Sequence, residues 1–382
     1  MLGIGIRGAS YRCLLRHATC PEDWNRLITD VLTVLGIETS CDETAAAVVR
    51  GFVPGPGAIL SNVIASQVEA HRPYGGVVPE IAARAHVDLI DHVIRSALEQ
   101  SGLSLDEIDA IAVTAGPGLI GGVAVGLSAA KGLALASGKK LVALNHLEAH
   151  ALTARLTAGV AFPFLLLLVS GGHCQLLICE GVGRFTKLGS TIDDAAGEAF
   201  DKSAKILGLG FPGGPAIEKA ALKGNPKRFR LPRPLMDAEN YDFSFSGLKT
   251  AVRRVVESTE LTEDSINDIA ASFQAAAVDV LLNRTRRAML GAEARRLGTR
   301  HLVVAGGVAA NGLLSSSLSN MAQENGYELV VPPPGLCTDN GAMVAWAGLE
   351  RAHLGLYSDL DTGARARWPL DSGRSGIPGA KS

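Results

Sequence analysis

Residues 31–37 of the chain are almost wholly apolar, residues 38–44 are polar (Glu-Thr-Ser-Cys-Asp-Glu-Thr), and residues 45–49 are apolar again. The same design returns later: the run 165–169 stops abruptly at Ser170-Gly171-Gly172 and resumes at Gln175. Short apolar runs separated by a tight polar or glycine turn predict a buried strand, a turn and a return strand. Two copies of that hairpin, each opening about half of the chain, predict an internal duplication.

After the first hairpin the pattern predicts a helix over 79–101, rich in Ala, Ile and Val, and a strand over 110–114. Gly116-Pro117-Gly118 then leads into an apolar helix over 119–136. That stretch is interrupted by Gly121, Gly122, Gly126 and Lys131, so it reads as a close-packed core helix, not a membrane span. A strand over 141–144 delivers the chain to His146. The second half predicts a helix over 191–207, a rigid turn over 211–215 and a helix from Ala216. Residues 223–234 are basic and proline-rich, and Ser246 is placed to cap the helix that follows residues 242–247. A long helix over 264–297 precedes a buried strand over 301–305 that ends in Gly306-Gly307, with Asn311 at the next helix start. Cys337-Thr-Asp-Asn-Gly341 opens a last helix ending near Gly355.

These elements divide into a first lobe, residues 31–145 with about 340–368, and a second, residues 146–339, that carries a helical insertion. Residues 371–382 are rich in Gly, Ser and Pro and read as a disordered tail. Residues 1–30 stand apart: Arg7, Arg12 and Arg16 precede the first acid, Glu22. Either they form a targeting segment or translation starts near Val31.

Composition narrows the class. With 382 residues, 47% hydrophobic and 19% charged, the chain has enough apolar mass for two packed lobes. A net charge of −2 means that any nucleic-acid contact must come from a local patch. Six cysteines without a Cys-x-x-Cys spacing fit reduced thiols in a cytoplasmic compartment.

The candidate chemistry lies beside the second hairpin. His146 and His150 are four residues apart, an advance of about 400° on a helix, so both imidazoles leave one face and can share a metal ion. Glu148 lies about 200° away from His146, which breaks the metallopeptidase pattern, where Glu directly follows the first His. Glycines at the Ser170-Gly171-Gly172 turn leave room for backbone N–H groups to approach a phosphate. The combination predicts metal-assisted chemistry on a nucleotide-linked substrate.

Taken in order, the motifs match one family. They are Gly-Ile-Glu-Thr-Ser-Cys-Asp-Glu-Thr (36–44), Gly-Gly-Val-Val-Pro-Glu (75–80), His-x-x-x-His (146–150) and Val-Ser-Gly-Gly-His (169–173). Asp-Asp-Ala-Ala-Gly-Glu-Ala-Phe-Asp-Lys (193–202), Pro-Gly-Gly-Pro (212–215) and Phe-Ser-Phe-Ser-Gly-Leu-Lys-Thr (243–250) follow, then Gly-Gly-Val-Ala-Ala-Asn (306–311) and Cys-Thr-Asp-Asn-Gly (337–341). Over about residues 33–356 the chain resembles the universal tRNA threonylcarbamoyladenosine transferases, once described as O-sialoglycoprotein endopeptidases.

The resemblance implies an α/β fold of the actin/sugar-kinase/Hsp70-like class, two duplicated ribonuclease-H-like lobes around a nucleotide cleft. It implies transfer of a threonylcarbamoyl group from threonylcarbamoyl-AMP to the exocyclic amine of the adenosine 3′ of the anticodon, in tRNAs reading ANN codons. His146, His150 and Asp339 would hold one divalent metal, Fe2+ in most of the family, with Zn2+ the alternative. Leu168, Val169, Ser170, Gly171, Gly172, Asp201, Gly214 and Asn311 would hold the nucleotide and acyl group, and Glu218 matches a ribose-contacting acid. Leu168 stands where the archaeal and eukaryotic branch has a metal-reaching tyrosine, so the site is of bacterial type. Further implied partners are a paralogous non-catalytic subunit of the same fold and a small ATPase; no membrane is involved. The implied compartment is the cytoplasm, or the mitochondrial matrix should residues 1–30 be a transit peptide.

The acyl donor is a mixed anhydride, already activated, so the protein need only polarise it, position an amine and remove a proton. Asp42 and Glu43 on the first hairpin turn are candidates for base or orienting group, with ordinary solvation of turn acids as the alternative. A small-molecule kinase on the same fold would carry Asp where this chain has Glu38. The cluster Lys227, Arg228, Arg230 and Arg233, with Phe229 available to stack on a base, is the candidate tRNA patch, and Arg284, Arg286 and Arg287 are the alternative.

Overall fold

A computed structural model describes residues 31–371; the expectations for residues 1–30 and 372–382 lie outside the described residues. The first lobe opens with β1 (Leu32–Glu38), β2 (Glu43–Gly51) and β3 (Ala58–Ser66). A one-turn α1 (Val68–His71) and the long α2 (Pro79–Ser101) follow, then β4 (Ala110–Gly116), α3 (Ile120–Ser137) and β5 (Lys140–Asn145). The chain passes through α4 (His146–Ala158) into β6 (Phe164–Val169), β7 (Cys174–Gly181) and β8 (Arg184–Ser190). Next come α5 (Ala196–Ile206), α6 (Gly213–Ala221), α7 (Ser246–Ser258), α8 (Glu263–Met289) and α9 (Ala292–Leu297). The last elements are β9 (His301–Ala305), α10 (Gly312–Glu324), β10 (Glu328–Val330), α11 (Pro334–Cys337) and α12 (Gly341–His353).

The strand orders are β3-β2-β1-β4-β5 and β8-β7-β6-β9-β10, the same topology twice. In each sheet an antiparallel hairpin supplies one edge and a parallel pair the other. The duplication expected from the two hairpins is therefore present throughout both sheets.

The central strands β1 and β6 are covered on both faces, which is why they read as unbroken apolar runs with no alternation. Helices α2 and α3 cover the outer face of the first sheet, and α5, α8 and α10 are among those covering the second. Between the sheets lie α4 and α12, whose Leu147, Leu152, Met343 and Trp346 join Val34 and Leu144 of one sheet to Leu166 and Val303 of the other. Close approach needs small residues. A Cβ at Gly36 would sit 2.3 Å from the Ala345 nitrogen, and one at Gly348 would sit 2.2 Å from the Ala112 Cβ.

Helix α3 is long and apolar enough to cross a membrane by length and hydropathy alone. Its glycine face instead closes on the first hairpin turn, where a Cβ at Gly126 would lie 2.2 Å from Thr39 Oγ1.

Several boundaries differ from the sequence pattern. The helix expected over 191–207 begins only at Ala196, because Asp193 accepts hydrogen bonds from the backbone N–H groups of Phe245 and Ser246 and is held outside it. The same contacts show that α7 is capped by Asp193 from a distant segment; Ser246 is its first helical residue and donates to that carboxylate. The helix expected over 264–297 breaks into α8 and α9 at Gly291, against which the Tyr241 hydroxyl packs. The turn over 211–215 already contains the start of α6. Strands β3, β8 and β10 were not legible. They lie at sheet edges, where one flank stays solvated and charged or polar residues dilute the apolar pattern.

Because Trp346 is fully buried where α12 joins the two sheets, Trp346→Ala should cost about 3–5 kcal/mol. The expected readout is a large fall in the denaturation midpoint, and a shift no bigger than that of a surface substitution would show that this layer is not the structural keystone.

Candidate metal centre and active-site cavity

The turns at the carboxyl ends of β1, β5, β6 and β9 converge on one cleft, the position where open α/β sheets place their ligands. Helix α4 starts directly from β5, capped by the Asn145 side chain, which accepts from the Leu147 N–H at 2.9 Å. Its first turn sets the His146 and His150 rings 4.7 Å apart at 88°. Asp339 enters from the loop before α12, whose cap, Asn340, accepts from the Met343 N–H at 2.9 Å. The Asp339 Oδ1 lies 3.0 Å from His150 Nε2 and 3.4 Å from His146 Nε2. One donor atom from each of the three residues falls within 4.8 Å of the others.

Glu38, fully buried at the end of β1, joins the site although its sequence position gives it no such role. Its Oε2 lies 3.0 Å from His146 Nδ1 and also accepts from the Thr114 hydroxyl, while Oε1 accepts from the Ser40 N–H. A carboxylate on Nδ1 fixes that nitrogen as the protonated one in neutral imidazole and leaves the Nε2 lone pair facing Asp339. The readable signal was an acid at the end of an otherwise apolar strand.

The electrostatics follow from crowding. Burial pushes His146 down, but the Asp339 and Glu38 carboxylates outweigh it and hold the imidazole well above its ordinary value. Burial pushes Asp339 up, yet the His146 and His150 imidazoles hold it well below the usual carboxylate range. Glu43 has no such partner, and burial together with the Asp339 and Asp42 charges pushes it up to about 10. His173, at the end of the second hairpin turn, is pushed down to about 4, by burial first and then by the imidazoles beside it. In the sequence His173 is part of a motif but has no assigned role. Two imidazole nitrogens and a carboxylate oxygen, surrounded by further carboxylates, are a donor set and a charge balance that fit a divalent cation.

A cavity of about 510 Å³ opens beside this cluster. Ser40, Cys41, Asp42, Glu43, His146 and Asp339 line it from one side, Ser170, Gly171, Gly172, His173 and Gly307 from the other. Residues 366–371 form part of its rim. At Gly171 and Gly172 a Cβ would meet no protein atom within 4 Å. Neither packing nor backbone conformation therefore demands glycine there, and both positions stand open to the cavity. At Gly306 the reason differs: φ is +94° and a Cβ would lie 2.4 Å from the Val169 carbonyl oxygen.

The cavity thus unites Asp42, Glu43, His146, Asp339 and the Ser170–Gly172 turn, with His150 completing the metal set. Leu168 and Val169 bring at most their backbone to the cleft. Both side chains are fully buried in the cores flanking β6, so neither offers a side chain to the cleft. Asp201, Gly214, Glu218 and Asn311 do not line the cavity either. Asp201 accepts from the Gly213 N–H at 2.8 Å, Glu218 accepts from the Gly312 N–H at 2.8 Å, and Asn311 caps α10 while donating to Gln274. Glu148 points away from the metal cluster, as its spacing requires: it is buried against Arg351 at 2.6 Å and accepts from the Gly183 N–H.

Comparison with known proteins bears on this geometry. A family model described as tRNA N6-adenosine threonylcarbamoyltransferase matches residues 58–346. A protein of that name from Rhodospirillum rubrum is 60% identical over 342 residues, covering 88% of this chain and 94% of its own. Its counterpart from Brucella canis is 58% identical over 343 residues, covering 89% and 96%, and that from Methylocapsa acidiphila is 57% identical over 352 residues, covering 92% and 100%. Among solved structures, HypF from T. kodakarensis aligns with a TM-score of 0.56 at 15% identity, covering 86% of this chain and 48% of its own. Full-length HypF in a phosphate- and nucleotide-bound form aligns at 0.54 and 12% identity, covering 89% and 48%. These two likenesses concern the fold alone, which is the actin/sugar-kinase/Hsp70-like class.

Because His146 carries a proton at neutral pH in the metal-free protein, loading the site with a divalent metal at pH 7 should release about one proton. Calorimetry in buffers of different ionisation enthalpy reads that number; metal uptake without proton release would contradict the assigned His146 environment.

Proposed function

This chain belongs to the tRNA N6-adenosine threonylcarbamoyltransferase family, and on that premise we propose that it moves a threonylcarbamoyl group from threonylcarbamoyl-AMP to N6 of the adenosine 3′ of the anticodon in tRNAs reading ANN codons. The observation that carries the assignment to this cleft is the His146–His150–Asp339 cluster facing the Ser170-Gly171-Gly172 turn across one cavity. We further propose Fe2+ as the metal, from the family resemblance, with Zn2+ suited to the same donors. Bound there by His146, His150 and Asp339, the metal supplies Lewis-acid polarisation of a carbonyl or phosphoryl oxygen.

The remaining work falls to the chain itself. The N–H groups of Gly171, Gly172 and Gly307 are proposed to meet the phosphate charge of the donor, the Ser170 N–H being held by the His173 carbonyl within the turn. The adenosine N6 attacks the carbamoyl carbon, the carbon–oxygen bond to AMP breaks, and AMP departs with the electron pair. The attacking nitrogen must lose one proton. Asp42 is the proposed acceptor, and Glu43 beside it is the proposed orienting group. Asp201, Gly214, Glu218 and Asn311 lie on or next to α5, α6 and α10 and are proposed to receive the nucleoside end.

The proposed acceptor surface needs revision from the sequence expectation. Lys227, Arg228 and Arg230 are exposed, on a loop pinned to α8 through Asp268 and Ser272. Phe229 is packed partly into the second-lobe core and Arg233 is paired with Asp279, so neither is available as expected. Arg284 is buried and donates to the carbonyls of Leu235, Ala238 and Asn240, which removes it from the alternative surface. The paralogous subunit is proposed from the resemblance. A small ATPase partner is carried by the resemblance alone. The proposed compartment is the cytoplasm; import of a fusion bearing residues 1–30 into mitochondria would move it to the matrix.

The experiment that tests the function is mass spectrometry of nucleosides from tRNA after depletion of this protein. Loss of threonylcarbamoyladenosine is expected, and unchanged levels refute the reading. His146→Ala and Asp339→Ala should each lower bound metal and abolish transfer, and His146→Ala should also lower the melting temperature because it leaves the buried Glu38 carboxylate without its partner. Full metal and activity in both would overturn the ligand assignment. Neutralising Lys227, Arg228 and Arg230 together should weaken tRNA binding and flatten its salt dependence, the logarithmic slope falling by about 0.7–0.9 for each phosphate that is no longer neutralised. An unaltered salt slope would move the docking surface elsewhere.

A further inference from the structure

Two more histidines of the first lobe, His71 and His86, are fully buried, and the chemistry above uses neither. They belong to a hydrogen-bonded chain whose donors and acceptors admit one proton arrangement. The Cys41 carbonyl can only accept, so His86 Nε2, 3.0 Å away, carries the hydrogen. His86 Nδ1 is then an acceptor, facing the Thr44 hydroxyl at 2.8 Å and the Gln67 amide nitrogen at 3.3 Å. Gln67 thereby turns its oxygen to His71 Nε2 at 3.3 Å, which donates. His71 Nδ1 is left to accept from the Val78 N–H at 3.3 Å. Each bond dictates the next, from the 75–80 motif to the first hairpin turn. Burial also pushes His86 below its ordinary value, so the neutral ring that the chain requires is the favoured one.

The far end of that chain grips the turn that carries Asp42 and Glu43. Three consecutive carbonyls of the turn are each held by a different element. Ser40 O accepts from the Leu119 N–H at 2.8 Å, Cys41 O from His86, and Asp42 O from the Gln67 N–H at 3.0 Å. Helix α3 closes from the other side: a Cβ at Gly122 would lie 3.0 Å from the His86 ring and 2.4 Å from the Thr39 carbonyl oxygen. The turn also touches the metal set directly, through the Ser40 hydroxyl 3.1 Å from His146 Nδ1. A buried network with every member satisfied is rigid and specifies one geometry, whereas a reversed member would leave two donors or two acceptors face to face.

We propose that Gln67, His71 and His86 are positioning residues for the transfer, a buried relay that fixes the backbone of residues 41–44 so that Asp42 and Glu43 face the metal cavity. The inference rests on the transferase reading. None of the three residues touches the substrate; they act through the turn.

The test exploits polarity at constant shape. In Gln67→Leu the side-chain bonds to both His86 and His71 are deleted. In His86→Leu the bond to Cys41 is deleted; in His86→Gln an amide N–H can still reach the Cys41 carbonyl. Transfer from threonylcarbamoyl-AMP to tRNA is measured beside bound metal and melting temperature. Gln67→Leu and His86→Leu are expected to lower kcat by about 10- to 100-fold, with KM for tRNA and bound metal unchanged, and His86→Gln to recover most of the loss. The relay is refuted if Gln67→Leu stays within about twofold of wild type in kcat, or if metal is lost in step with activity. It is equally refuted if His86→Gln is as impaired as His86→Leu, a comparison that decides the matter even should Gln67→Leu not fold. Wild-type protein that transfers nothing would refute the transferase reading itself; active wild type with unchanged variants refutes only the relay.

Discussion

The close packing of α12 on β1 is the constraint on which the rest depends. Backbone-to-backbone approach at Gly36, with room left at Gly348 for the Ala112 side chain of β4, brings this helix into the layer between the two sheets, beside α4. Both helices begin at the cleft. His146 is the first residue of α4, and Asp339 lies two residues before the first residue of α12. A metal set drawn from residues so far apart in sequence exists because two buried helices share one layer. Their N-termini bring partial positive charge to the same cleft, which favours an anionic substrate beside a carboxylate-rich metal site.

The two lobes repeat one topology but divide the chemistry. The turn of the first hairpin carries acids, Asp42 and Glu43, together with Ser40, which contacts His146. The turn of the second carries Gly171 and Gly172, which offer backbone with no side chain in the way. Acids on one wall would repel a phosphate, and a glycine turn on the other would receive it. A divalent metal held by His146, His150 and Asp339 would offset the carboxylate charge that an anionic donor meets in this cleft. The crowding that raises Glu43 and the pairing that lowers Asp339 are two sides of the same charge balance.

Much of this was legible in the residues alone. Apolar runs identified the central strands because strands covered on both faces have no polar alternation. Helical spacing joined His146 to His150 and turned Glu148 away, since both follow from local geometry. Glycine at 171 and 172 marked a cavity-facing turn, and the duplicated hairpin announced the repeated sheet topology. Family motifs extended this to Asp339, which no local pattern links to the histidines.

What only the tertiary structure decided concerns partners distant in sequence. Glu38 reads as one more strand residue until its carboxylate is seen on His146, and His71 and His86 read as scattered histidines until Gln67 joins them. Asp193, not Ser246, caps α7, and Gly291 breaks the long helix because Tyr241 packs there. Arg284 and Phe229 looked like a nucleic-acid surface but are buried or partly buried in the second lobe. Periodicity reports which face of an element is buried, because burial repeats with the backbone. It does not report which buried polar group meets which, because a single hydrogen bond has no period and is set only when the layers close.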